Sequence, residues 1–76
     1  MSAVGKAINA IIEGSLDLQQ LEPILSKNSS DQYSDDRAIR GIYRLGILLL
    51  QSPDKAKDGQ FTKRLGELML EVESEY

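Results

Sequence analysis

The amino-acid sequence predicts an all-α protein, a small helical bundle of three main helices plus one short helix that a proline interrupts. Two observations predict this fold. Apolar residues recur three and four positions apart in several segments, which is the period of an amphipathic helix. Residues that favour helix ends separate those segments. A chain of 76 residues has the size of one domain, so we expect a single helical domain over residues 1–76.

The first predicted helix follows Ser2, which suits the N-cap position, and stops before Gly14, which suits the position just past a helix C-terminus. Its apolar residues recur with helical spacing: Val4, Ile8, Ile11 and Ile12. This spacing places them on one face and predicts a short amphipathic helix.

The second predicted helix lies in the segment SLDLQQLEPILS, residues 15–26. Asp17 and Gln20 have the spacing of a capping box. Three leucines share a face: Leu18, Leu21 and Leu25. Pro23 removes a helical hydrogen bond donor and clashes with the preceding turn. We therefore expect either a kink or a stop near Glu22 followed by a new turn.

The third predicted helix follows a polar segment, residues 27–34, which we expect to be the longest loop. Ser34 suits the N-cap, and Asp35 and Asp36 suit the positive end of the helix dipole in the first turn. The helix should run through Gln51 and end before the Ser52–Pro53 pair.

Residues 52–59 form a connection that is compatible with one helical turn starting at Pro53. The last helix is predicted from about Gln60 to Glu75, and Tyr76 would extend its apolar stripe. That stripe consists of Phe61, Leu65, Leu68, Met69 and Val72.

The third helix has an apolar arc of about 200° on a helical wheel, which predicts a central position in the bundle. The arc contains Leu45, Ala38, Leu49, Ile42, Ile39, Leu50, Tyr43 and Ile47. Leu48 falls outside it, beside the arginines. Two neighbours within the chain could cover this arc, or one neighbour and a second subunit. Because so small a chain without cysteine or histidine lacks a disulfide and the commonest metal ligands, we expect a homodimer or larger homo-oligomer. Tyr43, Ile47 and Leu50 form its predicted interface.

Arg37, Arg40 and Arg44 form a stripe at positions i, i+3 and i+7 of the same helix. Two interpretations stay open: a solvated face, or a binding site for a carboxylate-rich partner or a phosphate group. A net charge of −3 opposes general binding to nucleic acid, and no aromatic residue alternates with the arginines to stack on bases. A protein partner is therefore favoured.

The composition also narrows the class of function. Without histidine and cysteine, the chain lacks the usual zinc ligands, the thiol nucleophile and the usual proton-transfer side chain, so we expect no enzyme, no metal and no cofactor. No apolar run is long enough to span a membrane, and the absence of cysteine is compatible with the cytoplasm. We expect an acidic, cytoplasmic, noncatalytic protein–protein interaction or regulatory module that self-associates. The alternative is a small nucleic-acid-associated regulator that uses the arginine stripe.

Overall fold

The computed structural model describes residues 2–74 and confirms the predicted all-α bundle. Within that range there are four α-helices and no strand: α1 (Ala3–Ile12), α2 (Leu21–Lys27), α3 (Arg37–Gln51) and α4 (Gly59–Ser74). Three short 3-10 helices connect them: Leu18–Gln20, Ser29–Tyr33 and Pro53–Lys57. Helices α1, α3 and α4 are the three main helices, and α2 is the short one that contains the proline. None of the described helices is both long and apolar enough to cross a membrane.

Helix α1 has both of its predicted ends. The Ser2 hydroxyl accepts a hydrogen bond from the backbone N–H of Gly5 at 3.3 Å, as an N-cap side chain does. Gly14 has a positive φ of 82°, the left-handed conformation that glycine adopts without steric cost. The chain can therefore reverse direction directly after α1.

Pro23 lies inside α2, and the predicted stop near Glu22 is wrong, because the 3-10 helix Leu18–Gln20 leads directly into α2 at Leu21. Pro23 is the third residue of α2, where a backbone N–H has no partner within the helix, so the proline removes no α2 hydrogen bond. The preceding 3-10 helix begins at Leu18, and the backbone N–H of Asp17 donates to the Gln20 side chain at 3.2 Å. Together with the contact of the Asp17 side chain to the backbone of Gln20, it forms the predicted capping box.

Two predictions about the start of α3 are wrong in detail. The segment predicted to be a loop contains the 3-10 helix Ser29–Tyr33, and the N-cap is Asp36 instead of Ser34. The Asp36 carboxylate accepts hydrogen bonds from the backbone N–H groups of Ala38 at 2.9 Å and Ile39 at 3.4 Å. Ser34 lies two residues before this N-cap, and its hydroxyl accepts a hydrogen bond from the backbone N–H of Asp36 at 3.1 Å.

Helix α4 begins one residue earlier than predicted because Asp58 caps it. The Asp58 carboxylate accepts from the backbone N–H of Gln60 at 2.9 Å. This hydrogen bond is the main cause of a lowered pKa for Asp58; the N–H of Phe61 and the Lys55 ammonium, 3.6 Å away, lower it further. The predicted end at Glu75 and the extension to Tyr76 lie outside the described residues.

Helix α3 is central, as its wide apolar arc predicts, because it packs against α1, α2 and α4. Ile42 and Leu49 have no exposed surface, whereas Leu48 beside the arginines is 39% exposed. The three other helices thus cover most of the arc within one chain. A second subunit is not required to cover it, so the arc no longer argues for self-association.

Candidate functional site: an arginine groove

A groove between α3 and α4 gathers every arginine of the sequence. It has a volume of about 570 Å³, and seven residues line it: Arg37, Arg40, Gly41, Arg44, Arg64, Leu68 and Glu71. The sequence contains four arginines and five lysines. No lysine lines this groove, although the structure describes all five of them. We name this feature the arginine groove.

Helical spacing and one glycine shape the groove. Arg37, Arg40 and Arg44 lie one turn apart along the exposed side of α3. Between them, Gly41 has no side chain, which lets Leu68 of α4 approach the α3 backbone closely. A Cβ atom at position 41 would lie 3.0 Å from Leu68 Cδ1. The floor is therefore apolar and close-packed, and guanidinium groups stand around it.

The groove concentrates positive charge on an acidic protein. Within the described part of the chain, no hydrogen bond or salt bridge engages the guanidinium groups of Arg37, Arg40 and Arg44. Arg64 lies 3.4 Å from Glu67 in an exposed pair, which contributes little to stability. Three of the four guanidinium groups thus keep their donors available, and a bound anion would reduce the repulsion among them.

A second, smaller depression shares two of these arginines. It has a volume of about 220 Å³ and lies between α3 and the 3-10 helix Ser29–Tyr33; five residues line it: Gln32, Arg40, Tyr43, Arg44 and Ile47. We name it the Ile47 cleft. Arg40 and Arg44 therefore form a ridge with the arginine groove on one side and a partly apolar recess on the other.

The predicted interface residues are separated by the fold. Tyr43 is only 8% exposed, and its hydroxyl donates to the backbone carbonyl of Leu25 at 3.3 Å, so it mainly joins α3 to α2. Its small exposed part also lines the Ile47 cleft. Ile47 is half-buried and lines that cleft, while Leu50 packs against the core and lines neither the cleft nor the arginine groove.

Sequence reasoning found the arginine stripe on α3 but missed the contribution of α4. Arg64, Leu68 and Glu71 lie at positions i, i+4 and i+7, which places them along one side of α4. The sequence correctly predicts Leu68 as part of the apolar stripe of α4. Arg64 lies one turn before Leu68, and this spacing could have indicated that Arg64 lies near the arginines of α3. Which side of α4 would meet α3 could not be derived from α4 alone.

The side chains of the arginine groove are chemically suited to hold anions. Planar guanidinium groups donate paired hydrogen bonds to carboxylates and phosphates. No group of three or more side chains suited to hold a metal ion comes together within residues 2–74. Asp58, whose pKa is lowered, caps α4 and does not line the groove.

Comparisons with protein-family models, with curated proteins and with solved structures found no match for this chain. The geometry and charge of the arginine groove are therefore the features that indicate a function.

Proposed function

We propose that this chain is a noncatalytic protein–protein interaction or regulatory module that binds an acidic segment of a protein at the arginine groove. The supporting observation is the placement of all four arginines, and none of the five lysines, around one groove. Arginine holds carboxylates in a fixed, paired geometry, which a lysine ammonium does not. A chain without cysteine is compatible with a reducing compartment, and we place this function in the cytoplasm.

A nucleic-acid-associated regulator is the second candidate, because the same guanidinium groups suit phosphates. One observation separates the two candidates and favours the acidic protein segment: no aromatic side chain lines the groove to stack on a base. The net charge of −3 and the carboxylate of Glu71 oppose any long polyanion, so a short acidic segment fits the groove better than an extended phosphate backbone.

The two candidates can be separated by fluorescence anisotropy with two labelled probes, a short glutamate-rich peptide and a single-stranded oligonucleotide of equal charge. We expect the peptide to bind the protein more tightly. The double variant Arg40→Gln/Arg44→Gln should weaken peptide binding by about tenfold or more, because hydrogen bonds to charged groups contribute roughly 1.5–3 kcal/mol. Tighter binding of the oligonucleotide, with a steep dependence on salt, would favour the nucleic-acid candidate instead.

A matched pair of variants separates the groove from the general charge of the surface. Arg64 and Lys63 are consecutive, exposed residues of α4, and only Arg64 lines the groove. Arg64→Gln should weaken peptide binding, and Lys63→Gln, which removes the same charge, should leave it nearly unchanged. Equal effects of the two substitutions would contradict a specific site.

A charge-conserving variant tests the role of guanidinium geometry. Arg44→Lys keeps the positive charge but removes the paired donors. We expect its peptide affinity to lie between those of the wild type and Arg44→Gln. An affinity equal to the wild type would mean that charge alone attracts the peptide.

A further inference from the structure

The outer face of α4 carries an exposed apolar side chain between carboxylates. Leu70 is 66% exposed, and among the large aliphatic residues of the described chain only Leu48, at 39%, is also exposed. Glu67 and Glu73 lie three residues before and after Leu70, so all three share one face of the helix. Both glutamates are exposed as well. This face is an acidic surface with one apolar residue at its centre.

The Ile47 cleft and its ridge have the complementary pattern. The cleft is lined by the half-buried Ile47 and the largely buried Tyr43, and Arg40 and Arg44 lie beside it. An apolar side chain that enters this cleft would bring carboxylates on either side of it close to the two guanidinium groups. Opposite charges around an apolar contact of this kind fix the orientation of a partner and suppress wrong ones.

We propose that a second copy of this chain occupies this surface: the α4 helix of one copy docks on α3 of the other, with Leu70 in the Ile47 cleft and Glu67 and Glu73 on Arg40 and Arg44. The proposal rests on the proposed function, because it names the acidic segment that the arginines bind. Glu67 would give up its exposed ion pair with Arg64 and form a new ion pair with an arginine of the second copy. Loss of the exposed pair costs little free energy.

Two further considerations favour a second copy as the occupant. Both halves of the contact are present in one sequence, and Leu70 is 66% exposed, so its own chain leaves it accessible to a second copy. A chain of 76 residues without cysteine is also of the size that commonly gains stability from a second subunit. Two identical chains can donate α4 to each other and close a dimer.

The test is the molar mass in solution, measured by light scattering after size exclusion at several protein concentrations. We expect a dimer at tens of micromolar in low salt and a shift toward monomer in high salt, because the outer ion pairs are screened. Leu70→Ser should weaken the dimer by roughly tenfold or more, since it removes the buried apolar side chain. Leu48→Ser is the matched control, because Leu48 is exposed on α3 but does not line the cleft.

A mixing experiment tests the pairing of the two surfaces. Leu70→Ser retains the cleft and Ile47→Glu retains Leu70, so each variant alone has a defect in both contacts of the dimer. A mixed dimer has one intact contact, and an equimolar mixture should therefore contain more dimer than either variant alone. Circular dichroism of Ile47→Glu verifies that this variant is folded; if it is not, Arg40→Gln/Arg44→Gln replaces it in the mixture. A monomeric wild type in low salt, or equal effects of Leu48→Ser and Leu70→Ser, would overturn the proposal.

The same variants distinguish failure of this proposal from failure of the proposed function. The Leu70→Ser protein has an intact arginine groove and should still bind the glutamate-rich peptide. If the wild type is monomeric while the peptide binds, the second copy is the wrong partner and the groove serves a different protein. If Leu70→Ser does not bind the peptide, the proposed function itself is contradicted.

Discussion

The two flanks of α3 each contain a glycine, yet the fold uses them differently. At Gly46 the helix backbone is enclosed by side chains from two helices: a Cβ atom there would lie 2.9 Å from Leu25 Cδ2 and 3.3 Å from Val4 Cγ1. At Gly41 the three atoms nearest to an added Cβ all belong to Leu68, which borders the open arginine groove. One flank is closed and the other is open to solvent and ligands.

This difference separates the residues that stabilise the fold from those available for binding. On the closed flank, apolar side chains from α1 and α2 fill the space against α3, and changes in volume there are costly. On the open flank, exposed arginines surround a shallow floor and contribute little to stability. Substitutions on the two flanks should therefore affect different measurements.

The largest expected effect on stability is at a residue of α3 that has no exposed surface. Leu49 has no exposed surface, so Leu49→Ala should lower the free energy of unfolding by about 2–5 kcal/mol through lost burial and a residual cavity. Chemical denaturation followed by circular dichroism measures this. Leu48→Ser on the adjacent, 39% exposed position should cost much less. Equal losses at the two positions would contradict the orientation of α3.

The two glycines provide the next largest effect and a direct comparison of the flanks. Gly46→Ala would push a methyl group into Leu25 and Val4, both buried, and overpacking should outweigh the gain in helix propensity, for a net loss of about 1–2 kcal/mol. At Gly41 the atoms nearest to an added methyl group are those of the Leu68 side chain, which lines the groove and has open space beside it to move into. The unfolding free energy of Gly41→Ala should change by less than about 1 kcal/mol. A larger loss at Gly41 would show that its flank is closed too.

The sequence predicted most of the fold because helical periodicity and end signals are local. The predicted end residues of α1, Ser2 and Gly14, are confirmed, and so is a helix over Arg37 to Gln51. The helical wheel also correctly predicts that Leu49 is buried and that Leu48 lies outside the apolar arc. The N-cap of α3 was misplaced by two residues because Ser34 and Asp36 are both suitable caps. The residue at which the backbone becomes helical decides between them, and in the structure Asp36 is the N-cap.

The site was predicted less completely because it depends on how two helices pack. The stripe on α3 follows from spacing alone, but Arg64 joins it only once Leu68 lies against Gly41. The structure places Tyr43, Ile47 and Leu50 in different surroundings for a related reason. α2 and the 3-10 helix Ser29–Tyr33 pack beside this flank, and Tyr43 is used to join α3 to α2.

A smaller effect is expected from the cap of α4, away from both flanks. The folded state lowers the pKa of Asp58, so the ionised carboxylate stabilises the fold above the ordinary aspartate pKa, about 3.9. That contribution is lost as the pH falls through the lowered pKa of the folded protein. Asp58→Asn keeps a capping side chain but does not titrate. The difference in thermal midpoint between wild type and Asp58→Asn should shrink as the medium becomes acidic; a difference independent of pH would contradict this role.

The smallest expected effect on stability is at the arginine groove, and it completes the comparison of the two flanks. Arg64→Gln should change the free energy of unfolding by less than about 0.5 kcal/mol, because its pair with Glu67 is exposed. Arg40→Gln should be equally small and in the stabilising direction, because it removes one of several nearby positive charges that have no described partner. Denaturation curves of these variants and of Lys63→Gln should therefore nearly coincide, although only the arginine variants lose affinity for the acidic peptide. A loss above about 1 kcal/mol for Arg64→Gln would mean that Arg64 holds α4 on α3, and its effect on binding would then report a damaged fold instead of a lost contact.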